Sequence, residues 1–189
     1  MLTTHIAHRT MHKAYALFLL MLFSVFGSNL QAQDKSPCRL SASLSIEIDR
    51  LFTGYSVVTQ RDLRKGDRSR FRADHKNSCP GLVRFDFYGS GKPTFALALF
   101  RREASKIDVK LVVATQSQGP DKWSIREIDT ADLTAAPVIW MEPPQEFKDV
   151  RGEKKIKATH PALLFAQYES WAIVYAWTGA EIEKVWVSD

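Results

Sequence analysis

The chain has 189 residues, of which 45% are hydrophobic, and its 26 lysine and arginine residues exceed its 21 aspartate and glutamate residues by five. A small excess of positive charge over a whole chain does not indicate nucleic-acid binding, which needs a concentrated basic face. The length suffices for one domain with its own hydrophobic core.

The first 32 residues have the pattern of a secretory signal peptide. Arg9 and Lys13 precede an apolar run over 14–26, and a polar stretch begins after Ala32. The run is shorter than the roughly 20 residues that span a membrane. We therefore predict cleavage after Ala32 and a periplasmic or secreted protein with no integral membrane span after cleavage. An uncleaved amino-terminal anchor is the alternative, and the absence of a cysteine directly after the apolar run argues against a lipoprotein.

Residues 33–189 then form one exported domain, with 24 basic and 21 acidic side chains. Its two cysteines are Cys38 and Cys79. An even pair in an oxidising compartment indicates a disulfide bond, which would tie the amino-terminal part of the domain to its centre. Free thiols, or Cys79 as a nucleophile, are the alternatives.

Residues 40–52 fit two patterns. Leu44, Ile46 and Ile48 alternate with polar residues as in a strand. A helical stripe is the other fit, and its residues are Leu44, Ile48, Leu51 and Phe52. Gly54 stands where a helix would end, so we favour the helix. A short β-prone stretch follows over 55–59.

Residues 60–76 form the most charged stretch of the chain. Asp67 is a candidate cap for a short helix that runs to about His75, with Phe71 as its apolar anchor. We interpret the stretch as a possible interaction patch for lipid headgroups, a glycan or an acidic protein. The alternative is a solvated helix face with internal Asp–Arg pairs. The side chains of the possible patch are Arg61, Arg64, Lys65, Arg68, Arg70 and Arg72.

Residues 79–100 are predicted to form the central hairpin of the domain. Two runs that can be buried, 82–87 and 94–100, flank a turn that contains Gly89, Gly91 and Pro93. Glycine supplies the positive φ angles of a tight loop, and proline fixes φ without donating a hydrogen bond.

The turn resembles the loop of FG-GAP/VCBS-type repeats, in which several carboxylates converge on calcium before an apolar strand. Asp86 matches the first ligand position, and Gly89 and Gly91 match both glycines. The resemblance to the repeat extends over 84–99. More loosely, the carboxyl terminus resembles that of secreted bacterial proteins that carry a single loop of this kind. The resemblance implies that the backbone turns as in the family but that no calcium is bound. Calcium needs six or more oxygen ligands, several of them charged. The other ligand positions hold Tyr88, Ser90 and Thr94.

Further runs along the chain predict a mainly antiparallel sheet of six or seven strands. We expect one helical turn within 129–136, an apolar stretch at 137–141 and a charged surface loop over 145–157. The predicted strands are 82–88, 94–100, 106–115, 122–128, 162–167, 171–177 and 181–187.

Catalytic patterns are scarce after the first 32 residues. Only His75 and His160 are present there, and the sequence contains no nucleophile elbow, zinc-binding His-Glu-x-x-His or phosphate-binding glycine loop. We therefore predict no catalytic residue, no cofactor and no metal.

The sequence thus predicts a single α+β domain with one or two amino-terminal helices packed on an antiparallel sheet. The expected function is a non-catalytic binding or interaction protein, such as an inhibitor or immunity-type partner of another exported or envelope protein. Its contact surface would be the patch in 60–76 or the loop in 143–157. An envelope hydrolase with an unrecognised site and a structural envelope component are the alternatives.

Overall fold

The computed structural model describes residues 36–117, 119 and 121–188, and these belong to one compact unit. The predicted signal peptide and its cleavage after Ala32 lie outside these residues. The described residues form two helices, α1 (Ala42–Leu51) and α2 (Lys65–His75). The strands are β1 (Ser56–Val57), β2 (Leu82–Phe85), β3 (Thr94–Arg102), β4 (Ile107–Gln116), β5 (Trp123–Leu133), β6 (Val138–Glu142), β7 (Glu146–Lys148), β8 (Lys155–Lys157), β9 (Ala162–Gln167), β10 (Trp171–Trp177) and β11 (Ile182–Ser188).

All strand pairs in the described chain are antiparallel, and they form three sheets. The first sheet has the order β1-β3-β4-β5, with β2 also paired to β3. The second has the order β11-β10-β9-β6, and β7 with β8 forms a small third sheet. The mainly antiparallel α+β architecture is confirmed. The expected count of six or seven strands is wrong, because eleven are present in the part of the chain that the structure describes.

Helix α1 covers the outer face of the first sheet. Its Leu44 and Ile48 are buried against Leu97, Leu99 and Val112 of β3 and β4. The Ser41 hydroxyl accepts a hydrogen bond from the Leu44 N–H, and a helix start capped in this way is stabilised by about 1 kcal/mol. The helix predicted over 40–52 is therefore confirmed, and its stripe of apolar residues is the reason that it packs here.

The opposite face of the first sheet packs against the second sheet. Val109 and Leu111 of β4 lie in one buried cluster with Leu163, Ile173 and other residues of the second sheet. At one side the Ile139 N–H of β6 donates to the Pro80 carbonyl at 2.8 Å, so the start of β2 and the edge strand β6 are joined. Neither described helix is long and apolar enough to cross a membrane.

The disulfide bond between Cys38 and Cys79 is confirmed, with the two Cα atoms 4.9 Å apart. It links the segment before α1 to the segment before β2. The bond closes a loop that contains α1, β1 and α2.

Three predicted stretches have a different structure. The helical turn expected within 129–136 is wrong, because β5 continues to Leu133 after a β-bulge at Ile128, where Leu111 faces Asp129 and Val112 faces Glu127. Residues 137–141 include most of β6. The loop expected over 145–157 contains the β7–β8 hairpin, which forms because one residue of each three-residue strand can be buried in the core: Phe147 and Ile156.

Candidate functional site

Residues 60–76, which we call the basic segment, hold the surplus positive charge of the described chain. Seven of their side chains are lysine or arginine and three are aspartate. The other residues that the structure describes carry 16 basic and 16 acidic side chains. A local excess of this kind creates a positive potential even when the net charge of the protein is small.

Helix α2 forms most of the basic segment. Its one large apolar side chain, Phe71, is only 1% exposed and anchors the helix in the core. The helix begins at Lys65, after an extended Arg64 that makes no side-chain cap. The predicted cap at Asp67 is therefore wrong: Asp67 lies inside the first turn, where a negative charge still favours the helix dipole.

Four arginines of the basic segment are held in place by other groups of the chain. Most of the acceptors are neutral, so the guanidinium groups are oriented while their charge is kept. The contacts are Arg64 Nη2 to the Thr134 carbonyl (3.2 Å), Arg68 Nη2 to the Leu63 carbonyl (3.0 Å), Arg72 Nε to Gln60 Oε1 (2.7 Å) and Arg70 to the Glu169 carboxylate.

The alternative interpretation, a solvated helix face, predicts Asp–Arg ion pairs within the segment. No such pair occurs among the ion pairs of the described residues. The Asp62 carboxylate instead lies 3.5 Å from Arg102, which is outside the segment. Three side chains, those of Arg61, Lys65 and Lys76, are exposed and have no hydrogen-bond or ion-pair partner in the part of the chain that the structure describes. The six predicted patch residues therefore lie on α2 or in the few residues before it, and their positive charges are only partly neutralised.

Aromatic side chains lie beside the basic segment. The His75 ring packs between Phe71 and Trp140, with ring centres 4.8 Å apart in both pairs, and Trp140 stacks on Tyr168 at 6.4 Å. Burial lowers the pKa of His75 from its usual value, although the charges of Asp74 and Glu142 act against the shift. Burial also raises the pKa of Tyr168 to about 12.

Sequence reasoning missed these neighbours of the basic segment. Trp140 lies in a stretch described only as apolar, and Tyr168 and Glu169 lie in a short turn. They are separated from α2 by more than 60 residues, and no local pattern joins them to it. Only the packing of β6 and the β9–β10 turn beside α2 brings them together.

The glycine loop, residues 86–94, uses its carboxylate internally. Asp86 Oδ1 accepts from the Ser90 N–H at 3.0 Å, and Oδ2 accepts from the Gly91 N–H at 2.8 Å. Gly89 and Gly91 have φ angles of +64° and +74°, which glycine adopts readily. Each oxygen of the Asp86 carboxylate thus accepts a backbone N–H of the same turn. No group of three or more possible metal-ligating side chains (His, Cys, Asp or Glu) occurs among the described residues.

The two histidines lie in packing roles. His75 belongs to the aromatic cluster beside α2, and the His160 ring lies directly over Gly89, where an added Cβ would be 2.1 Å from its Cε1 atom. Neither ring forms a hydrogen bond with a carboxylate among the residues that the structure describes. The structure does not bring the two histidines and an acid into one hydrogen-bonded arrangement there.

Comparison of the chain with protein-family models, with curated protein sequences and with solved structures gives no match.

Proposed function

We propose that this protein is an exported, non-catalytic interaction protein whose basic segment binds an acidic surface of another exported protein. One observation carries the proposal: the surplus positive charge of the described chain lies in residues 60–76, while its other residues are balanced. An inhibitor or immunity-type role would have this form. Export is supported by the amino-terminal sequence pattern and by the Cys38–Cys79 disulfide, since such bonds persist in oxidising compartments.

The composition of the surface favours a protein partner. Arginine, tryptophan and tyrosine are enriched among the residues that dominate protein–protein binding energy. Oriented arginines of the basic segment, such as Arg72, lie on the same helix as His75, which packs on the partly buried Trp140 next to Tyr168. An orienting hydrogen bond also lowers the entropy that the side chain loses on binding.

A membrane surface is a poorer fit for the same charges. Helices that lie on bilayers present large apolar side chains to the lipid on one face and cations on the other. In α2 the one large apolar side chain, Phe71, is buried in the protein core. The helix therefore has no apolar anchor to insert beside its cations.

The test uses the exported, oxidised chain as bait in an envelope extract and compares two triple variants. Arg61→Gln with Lys65→Gln and Lys76→Gln removes the cations that lack a partner in the structure. Lys148→Gln with Lys155→Gln and Lys157→Gln is the control, because it makes the same charge change on β7 and β8. Urea denaturation midpoints should stay near that of the wild type, since all six side chains are exposed.

We expect the bait to recover an acidic exported protein, with the first variant binding it about tenfold more weakly and the control binding unchanged. The figure assumes about 0.5 kcal/mol for each of three exposed charge pairs. The wild-type affinity should also fall as salt rises. Equal binding by the two triple variants would contradict the proposal. Tighter salt-sensitive binding to phosphatidylglycerol vesicles than to the recovered protein would instead assign the segment to lipid.

A further inference from the structure

The sheet edges in this fold are protected to different degrees. The edge strand β6 is bonded at Ile139 to the Pro80 carbonyl. The edge strand β5 is bulged at Ile128, and the Asp129 carboxylate accepts from the neighbouring Thr130 N–H at 2.8 Å. Bulges and satisfied edge groups prevent another strand from adding. The remaining edge of the second sheet is β11.

Within the described part of the chain, one backbone hydrogen bond reaches the outer edge of β11. The Val150 N–H, in the turn of the β7–β8 hairpin, donates to the Trp186 carbonyl at 3.0 Å. Alternate residues of a strand direct their backbone groups to the same side. The N–H and C=O groups of Ile182 and Lys184 therefore also point away from β10, and no described residue bonds to them there. The same outer edge is thus bonded at Trp186 and open at these two residues.

A cavity of about 360 Å³ lies between β11 and the turn of the β7–β8 hairpin. Trp186 and Val150 line it with side chains that are 45% and 44% exposed. Large apolar side chains that stay this exposed next to an open strand edge form a contact surface for another apolar side chain.

The charges that line the cavity are satisfied unequally. Lys184 Nζ donates to Asp129 Oδ2 at 2.7 Å, Lys154 lies 3.5 Å from the Glu183 carboxylate, and Asp149 Oδ1 accepts the Glu153 N–H at 2.7 Å. The Arg151 guanidinium and the Glu153 carboxylate both line the cavity, and neither has a hydrogen-bond or ion-pair partner among the residues that the structure describes. An arginine in this state complements a carboxylate.

We propose that β11 binds an extended peptide segment of another protein by strand addition at Ile182 and Lys184. The segment places an apolar side chain on Trp186 and Val150 and a carboxylate on Arg151. Its backbone continues the hydrogen bonding that Val150 begins at Trp186, and its apolar and acidic side chains determine specificity. This site is separate from the basic segment and does not depend on the function proposed for it.

A second copy of this chain is a poorer occupant of the same edge. If two β11 strands paired antiparallel about Lys184, the two Lys184 side chains would lie directly opposite each other. Like charges in that position destabilise a strand pair. A different, acidic segment avoids this repulsion and satisfies Arg151.

The test uses a small set of N-acetylated, C-amidated heptapeptides in which Val, Ile, Leu or Phe alternates with glutamate and threonine. Binding is measured by calorimetry, and amide hydrogen exchange of the protein is followed by NMR. We expect the backbone N–H groups of Ile182 and Lys184 to exchange more slowly when peptide is bound. Methylation of alternate peptide nitrogens should weaken binding at least tenfold, because it removes the strand hydrogen bonds and keeps the side chains.

Protein variants distinguish strand addition at β11 from non-specific peptide binding. Arg151→Gln and Trp186→Ala should each weaken binding about tenfold, whereas Lys148→Gln on β7 and the basic-segment triple variant should bind like the wild type. Replacement of glutamate by lysine in the peptide should also weaken binding about tenfold. The proposal is overturned if no peptide of the set binds at about 1 mM, if the methylated peptide binds equally well, or if the protected amides lie elsewhere.

Discussion

The glycine loop and the basic segment both suggest function in the sequence, but the structure uses their charges differently. In the loop, the one carboxylate is bonded to two backbone N–H groups of the same turn. In the basic segment, the cations exceed the acids by four, and three of them have no partner among the described residues. A charged group that is satisfied by its own loop stabilises the fold, whereas an unsatisfied surplus remains available to a partner. The basic segment is the better candidate for a contact surface for this reason.

The largest expected effect concerns the disulfide bond, because Cys79 lies between the two regions in the chain. Cys38 and Cys79 enclose the basic segment and precede the glycine loop. Replacing both with serine should lower the free energy of unfolding by about 2–4 kcal/mol, because the unfolded chain loses a loop constraint. Urea denaturation of the oxidised wild type and of the variant measures the change. An unchanged midpoint would show that the bond does not constrain either region.

The next prediction compares two glycines of the glycine loop. In Gly89→Ala the new Cβ meets the His160 ring at 2.1 Å, and φ is +64°. In Gly91→Ala the Cβ meets no atom within 4 Å, and only the φ angle of +74° is unfavourable. We expect losses of about 2–3 kcal/mol and about 1 kcal/mol respectively in the free energy of unfolding. Equal losses in urea denaturation would mean that His160 moves away without cost.

Removal of the loop carboxylate gives a smaller effect and tests its structural role. Asp86→Ala should cost about 1–2 kcal/mol, because the N–H groups of Ser90 and Gly91 lose their acceptor. In the wild type, millimolar calcium should leave the melting temperature unchanged. A clear rise with calcium that Asp86→Ala abolishes would show that the carboxylate binds a cation, and the contrast between the two regions would then fail.

The smallest prediction concerns pH and lies within the basic segment. The folded-state pKa of His75 is below the unfolded value of about 6.5, so folding favours the neutral ring. Its contribution to stability is complete above that pH and is lost as the pH falls through the folded-state pKa. The urea midpoint of the wild type should therefore fall between pH 7 and pH 5, and His75→Gln should show a smaller fall. An identical fall in the variant would place the pH dependence elsewhere.

Local patterns predicted much of the fold correctly. The stripe of Leu44 and Ile48 and the stop at Gly54 predicted α1, and the alternation of apolar residues predicted β4 and the three carboxyl-terminal strands. Two cysteines in a chain with an export pattern predicted the disulfide. Each of these features is visible in the residue pattern because one face of the element, or one pair of residues, must be buried or joined.

Residue periodicity did not predict the short strands or the bulged strand. Strands β7 and β8 each have three residues and one buried side chain, too few for a recognisable alternation. The bulge at Ile128 shifts the register of β5, so its second half does not continue the pattern of the first. A method that reads periodicity cannot separate such a shift from the end of a strand.

The sequence by itself determined the charge of the basic segment, the single carboxylate of the glycine loop and the two cysteines. Only the tertiary structure decided which of these charges are satisfied. Thr134 and Glu169, which hold Arg64 and Arg70, lie 70 and 99 residues away, and the Val150 N–H that covers part of β11 comes from the turn between β7 and β8. Hydrogen bonds and ion pairs act over a few ångströms, so a charge that is surplus in the sequence becomes a candidate binding group only after folding has fixed its neighbours.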